Sequence, residues 1–231
     1  MDPGLDLPLQ RVFDRVELVS GVGDPDTGKL CVMSLVACLA GERHTDRPVC
    51  ASPLIRAFAI PVNDHMPREV RQRLKPFAPR ILGTNDGRDG ERAEILRHAL
   101  AEEIFPQFAA KWQASSGALG VGLSRRLWMQ LRRRELHHRV ERLMGKVGAG
   151  GGPGDWIALA SAAAQLLALC ARDARDAGEI ERCWSTAIVL LDRFCDVGAS
   201  RRQVPGSIPD RLTSLGARQV PPAAPSWVRD P

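Results

Sequence analysis

Residues 28–53 read GKLCVMSLVACLAGERHTDRPVCASP, and the reading of this stretch decides the fold. Over residues 29–40 the apolar side chains of Leu30, Val32, Met33, Leu35, Val36, Ala37 and Leu39 leave no polar face, the pattern of a helix buried on all sides. Such a helix is expected to be central. Asp26 or Thr27 is placed to cap its start by accepting orphan backbone N–H groups, and Gly41 to end it in the left-handed conformation. Ser52 followed by Pro53 repeats a start signal, an oxygen acceptor and then a residue with no N–H to leave unsatisfied, so a second helix begins near Pro53. Residues 42–50 between the two must be a turn.

The same stretch carries a resemblance. Cys31-Val32-Met33, then Ala40-Gly41-Glu42, then Thr45-Asp46-x-Pro48-x-Cys50-x-Ser52-Pro53 resembles an uncharacterised group of bacterial and phage-associated helical proteins. Asn63-Asp64 and Leu74-Lys75-Pro76-Phe77-x-Pro79-Arg80 continue it through about the first third of the chain, with a looser likeness at Leu190-Leu191-Asp192-Arg193. The group has no assigned activity, so the resemblance implies an all-helical fold and no function. Position 44 is His where the pattern would carry an aromatic such as Trp, which makes any role of His44 particular to this chain.

At 231 residues with 44% hydrophobic content the chain can bury a real core as one large helical domain with a tail. The net charge is +5, and only four of the 32 basic residues are lysine. An arginine-rich composition is weak evidence of a partner; the placement of the charge says more. The N-terminal MDPGLDLPLQ lacks the basic start and apolar core of a secretory signal, and the longest apolar stretch, residues 156–171, falls short of the roughly 20 residues needed to span a bilayer. A cytoplasmic protein without a membrane partner is the expectation. Six cysteines in mostly apolar helical context read as reduced, buried thiols.

In chain order, residues 9–19 read as an amphipathic helix and 20–27 as a loop. Pro61 is expected to end the helix over 53–60, and Pro76 a third short helix over 67–74. GTNDGRDG at 83–90 is a loop and the place for a seam within a helical domain of residues 1–197. A helix over 91–112 should kink or split near Pro106, and 114–122 is a flexible link. A second Gly-rich run, VGAGGGPGD, should free the chain before Asp155 caps the next helix, which Gly178 ends. That helix and the one over 179–197 form an antiparallel hairpin. From residue 198 onward six prolines and scattered arginines leave too little apolar surface to order a basic, Pro-rich tail. The fold class expected is all-α, an orthogonal or bundle-like multi-helix domain with a disordered C-terminal tail.

Four constellations could carry chemistry. Gly23-Asp-Pro-Asp-Thr-Gly28-Lys29-Leu30 matches a phosphate-binding loop except at its last position, where the magnesium-binding hydroxyl is missing, and Asp24 and Asp26 oppose phosphate; a capped loop accounts for it better. Ile188-Val189-Leu190-Leu191-Asp192 imitates the companion strand, but its flanks have helical periodicity. Cys31, Cys38, Cys50, His44, Glu42 and Asp46 suggest a metal, although Cys31 and Cys38 stand about 10.5 Å apart along a helix, too far to share one ion. Cys50 with His44 suggests a reactive thiol, with no orienting group or oxyanion hole evident. Buried small residues and a salt-bridged turn are the plainer account of both.

The fourth is the helix over 123–146, whose eight Arg and Lys side chains against two Glu give a net +6, more than the whole chain. Leu127, Leu131, Leu136, Val140 and Leu143 supply its packing side. Arg125, Arg126, Arg132, Arg133, Arg134 and Arg139 are then left to project from a solvated face, and could bind nucleic acid or an acidic protein by charge. Ordinary surface helices interleave both signs. No reaction is written in the sequence. The first expectation is a non-enzymatic binding protein with no cofactor; the alternatives are a small-molecule, metal or thiol site at Glu42, His44, Asp46 and Cys50, or an accessory protein without a ligand.

Overall fold

The computed structural model describes residues 14–106 and 123–201. It is helical, with one small sheet near its start. Strands β1 (Glu17–Leu18), β2 (Gly23–Asp24) and β3 (Lys29–Leu30) are two residues each in the order β1-β3-β2, β1 parallel and β2 antiparallel to β3. The outer edge of β1 is met by a side chain: Gln72 Oε1 accepts the Leu18 N–H and its Nε2 donates to the Leu18 carbonyl, both at 3.0 Å. A single 3₁₀ turn, Pro25–Thr27, joins β2 to β3, with Asp24 Oδ1 accepting the Asp26 N–H at 3.0 Å and Gly28 left-handed at φ 69°.

Helix α1 (Val32–Ala40) follows, shorter at its start than the periodicity predicts, because Lys29 and Leu30 pair with Glu17 and Leu18 instead of joining it. Its cap is Cys31, whose Sγ accepts the Ser34 N–H, and not Asp26 or Thr27, which lie on the far side of β3. The Val32 N–H is taken by Asn63 Oδ1, a fully buried amide whose Nδ2 donates to the Val19 carbonyl. Gly41, at φ 71°, ends α1 as expected.

Helix α2 (Pro53–His65) starts as read, Ser52 Oγ accepting the Ile55 N–H, but does not stop at Pro61. Leu54, Ile55, Phe58, Val62 and Met66 form one buried face that continues across the proline. That burial outweighs the one backbone bond Pro61 forgoes. Pro76 likewise sits inside structure, in a 3₁₀ stretch (Gln72–Phe77) between α3 (Arg68–Arg71) and α4 (Ala78–Ile81).

Helix α5 (Asp89–Ala99) passes into a π-helical turn (Leu100–Ile104), the Phe105 N–H bonding back to the Leu100 carbonyl, so the distortion expected at Pro106 lies ahead of it. Beyond it come α6 (Leu123–Gly148), α7 (Pro153–Arg172) and α8 (Ala177–Asp196). The Gly-rich run between α6 and α7 is a closed turn and not a free link: Ala149, Gly150 and Gly151 all donate back into the end of α6. Gly152 caps α7, while Asp155 takes Lys146 at 3.4 Å. α7 ends at Asp173; Gly178 belongs to α8, which Asp176 caps through the Glu179 N–H at 2.8 Å.

The centre of the molecule is α7 and not α1. It packs on α2, α6, α8 and α5, with Ala160, Ala162, Ala163 and Ala164 fully buried and small enough for α2 to come close. Among the described residues α7 alone is long and apolar enough, by length and composition, to cross a membrane, which the shorter apolar stretch did not suggest; most of it is buried within the fold. Phe58 of α2 and Phe194 of α8 meet edge to face at 5.3 Å beside it. The expected helices over 9–19 and 91–112 fall partly, and the link over 114–122 wholly, outside the described residues; of the tail expected from residue 198, Ala199–Arg201 form a 3₁₀ turn and the rest lies outside them.

The 83–90 loop closes on Arg92 of α5, the one buried arginine among the described residues. Arg92, with no solvent exposure, donates to Asp86 and Asp89 and to the carbonyls of Phe194 and Val197 at 3.1 Å. Asp89 in turn accepts the Ser52 hydroxyl and the Leu54 N–H, so loop, α2, α5 and the end of α8 share one polar junction.

Candidate binding site

Two of the sequence constellations have structural occupations. The 23–30 segment is a β2–turn–β3 hairpin in which Lys29 lies in a strand and α1 opens only at Val32, so the turn does not lead directly into a helix as a phosphate loop requires. Asp192 lies on α8 and pairs with Arg80.

In the 42–50 turn, Glu42 Oε2 and Oε1 accept the backbone N–H groups of Val49 and Cys50 at 2.7 and 3.0 Å. Burial alone would raise the Glu42 pKa. Those N–H groups, the Cys50 thiol and the charge of Arg56 outweigh it and hold the carboxyl below its usual range. The same contact acts in reverse on Cys50: desolvation, then the hydrogen bond and charge of Glu42, push its thiol up to about 11. Cys50 is therefore a protonated thiol at neutral pH. His44 Nε2 lies 3.2 Å from the Gly23 carbonyl, and neither it nor Asp46 gathers with Cys50 and Glu42 into a metal-spaced group. The one such group among the described residues is His137, His138 and Glu141, where both Nδ1 atoms approach Glu141 Oε2, at 3.3 and 3.2 Å. A carboxylate shared by a half-buried and an exposed histidine accounts for that spacing.

On α6 the packing seam is Val140, Leu143 and Val147, with Leu136 half-buried; Leu131 stands 56% exposed and takes no part in it. The arginines do not share one face. At about 100° per residue, Arg132 and Arg139, seven apart, fall on the same side at the edge of the seam, whereas Arg134 points to the opposite side. Arg132, Arg134 and Arg139 are exposed, and Arg134 and Arg139 have no ion-pair partner among the described residues. The side chains of Arg125, Arg126 and Arg133 lie outside the described set.

Arg132 and Arg139 border a cavity of about 620 Å³ between the end of α2, α6, α7 and α8. Arg172 of α7, whose Nε lies 3.9 Å from Asp173 Oδ1, and Glu135 of α6 also line it. Leu136, Leu169, Ile180 and Trp184 supply its apolar lining. Trp184 is 2% exposed, and its indole N–H is the only buried side-chain donor without an acceptor among the described residues. The spacing of Arg132 and Arg139 is readable from the chain. Arg172 and Trp184 are not, since only the α7–α8 pairing brings them there. No family model, curated protein or solved structure matches the chain.

Proposed function

We propose that the protein is a non-enzymatic binding protein whose basic helix α6 engages a polyanion, the phosphates of nucleic acid first. The observation that carries this reading is the exposure of Arg134 and Arg139 with no carboxylate partner among the described residues, on a helix whose net +6 exceeds that of the entire chain. A helix serving only as a solvated surface gains more from pairing its charges three or four residues apart, as Arg88 with Glu91 and Glu94 with Arg97 do three apart at α5. Charge without a groove-reading motif favours phosphate contact over base readout.

The test is binding of the full-length protein to random duplex and single-stranded DNA across a salt series. Affinity is expected to fall steeply with salt, and Arg126→Glu, Arg133→Glu and Arg134→Glu together to flatten that dependence by about one unit of slope for each phosphate they no longer neutralise. No binding at low salt, or an unchanged salt dependence in the triple variant, overturns the reading; retention of an acidic protein alone assigns the helix to a protein partner.

A further inference from the structure

We infer that the cavity between α2, α6, α7 and α8 is a binding site for a small amphipathic organic anion, an apolar body carrying one terminal carboxylate or phosphate. Its volume of about 620 Å³ lies within the roughly 300–1,000 Å³ of small-molecule sites. The wall is divided by chemistry. Leu136 from α6, Ala168 and Leu169 from α7, and Ile180 and Trp184 from α8 present hydrocarbon and one aromatic ring, which water solvates poorly and an alkyl or aryl group fills. Arg132, Arg139 and Arg172 come to the same space from two different helices, and Glu135 is the only carboxylate among them.

Arg139 is exposed and has no ion-pair partner among the described residues, so an anion entering beside it gains paired N–H donors. A purely apolar ligand leaves Arg139 without use. A bare inorganic anion leaves the hydrocarbon wall without use. An amphipathic anion uses both.

This site is separate from the outward Arg134 side of α6, although Arg132 and Arg139 belong to both readings. Calorimetric titration of the full chain with decanoate, decyl phosphate and decanol at one ionic strength separates the contributions. Decanoate or decyl phosphate is expected to bind at one per chain, at least tenfold more tightly than decanol; which of the two is tighter assigns the head group. Arg139→Gln should weaken the anion several-fold and leave decanol unchanged, while Arg134→Gln, on the opposite side, changes neither. Ala168→Phe, which fills the cavity from α7, should lower the affinity for all three at least tenfold with helical circular dichroism retained. Absence of saturable binding by either anion overturns the proposal, as does equal affinity for decanoate and decanol, or anion binding untouched by Arg139→Gln. These outcomes are independent of DNA binding, so either reading can fail alone.

Discussion

Asp86 accepts both terminal nitrogens of Arg92, at 2.7 and 2.8 Å, on a guanidinium that has no solvent exposure. Asp89 and two carbonyls from the end of α8 complete its shell, so the pair fastens the loop before α5 to the last helix.

Removing the cation leaves two partly buried carboxylates facing each other. Arg92→Ala is expected to lower unfolding stability by about 3–5 kcal/mol, with Arg92→Lys intermediate because a single ammonium cannot reproduce the fork. Urea unfolding measures this; a loss under about 1 kcal/mol contradicts the role given to Arg92.

The same pair makes stability depend on acid. Desolvation raises the Asp86 pKa, but the Arg92 hydrogen bonds, the Arg88 N–H and the Arg92 charge outweigh it, and the folded value lies below the ordinary one. A depressed carboxyl contributes its stability in full above the unfolded value of about 3.9, and loses it as pH falls through the lower folded value. Asp86→Asn should therefore be less stable than the parent at pH 7, with the difference narrowing below about pH 4. A constant difference from pH 7 to pH 2 would sink the assignment.

Cys50 should react slowly with iodoacetamide at pH 7.5, since its thiol titrates near 11. Glu42→Gln removes the negative charge beside it, so alkylation should accelerate and its pH profile move to lower pH. Mass spectrometry of the labelled peptide reports both. Rapid labelling of Cys50 in the parent would restore the reactive-thiol reading.

Gly23 has φ 78°, and a Cβ there would lie 2.2 Å from the Lys29 carbonyl oxygen. Gly23→Ala is expected to cost about 1–3 kcal/mol from backbone strain and the forced separation of β2 from β3. Thermal unfolding checks it, with Gly21→Ala as comparison: its φ is 72°, but its Cβ meets nothing within 4 Å, so it should cost less.

The features legible in the chain are those decided by neighbours. Gly41 and Ser52-Pro53 mark helix ends because capping is settled within four residues. The start of α1 is not legible because Leu30 is claimed by Leu18, twelve residues earlier, and no helical period reports a strand partner. Pro61 misleads when its effect is judged without the buried face around it. Arg92 carries no mark separating it from surface arginines; its carbonyl partners lie 102 and 105 residues away. The candidate site divides likewise. The i, i+7 spacing of Arg132 and Arg139 puts them on one side of a helix, but the cavity they border exists only where α7 and α8 turn back against α6.

Gln72 bears on what can add to the sheet. A β edge with free N–H and C=O groups is a template on which another chain can add itself. Along β1 the outward pair belongs to Leu18, and the Gln72 amide answers both groups as a fourth strand would, from a side chain that cannot be extended further. One carboxamide thus terminates the sheet, and growth by strand addition on that edge must first displace it.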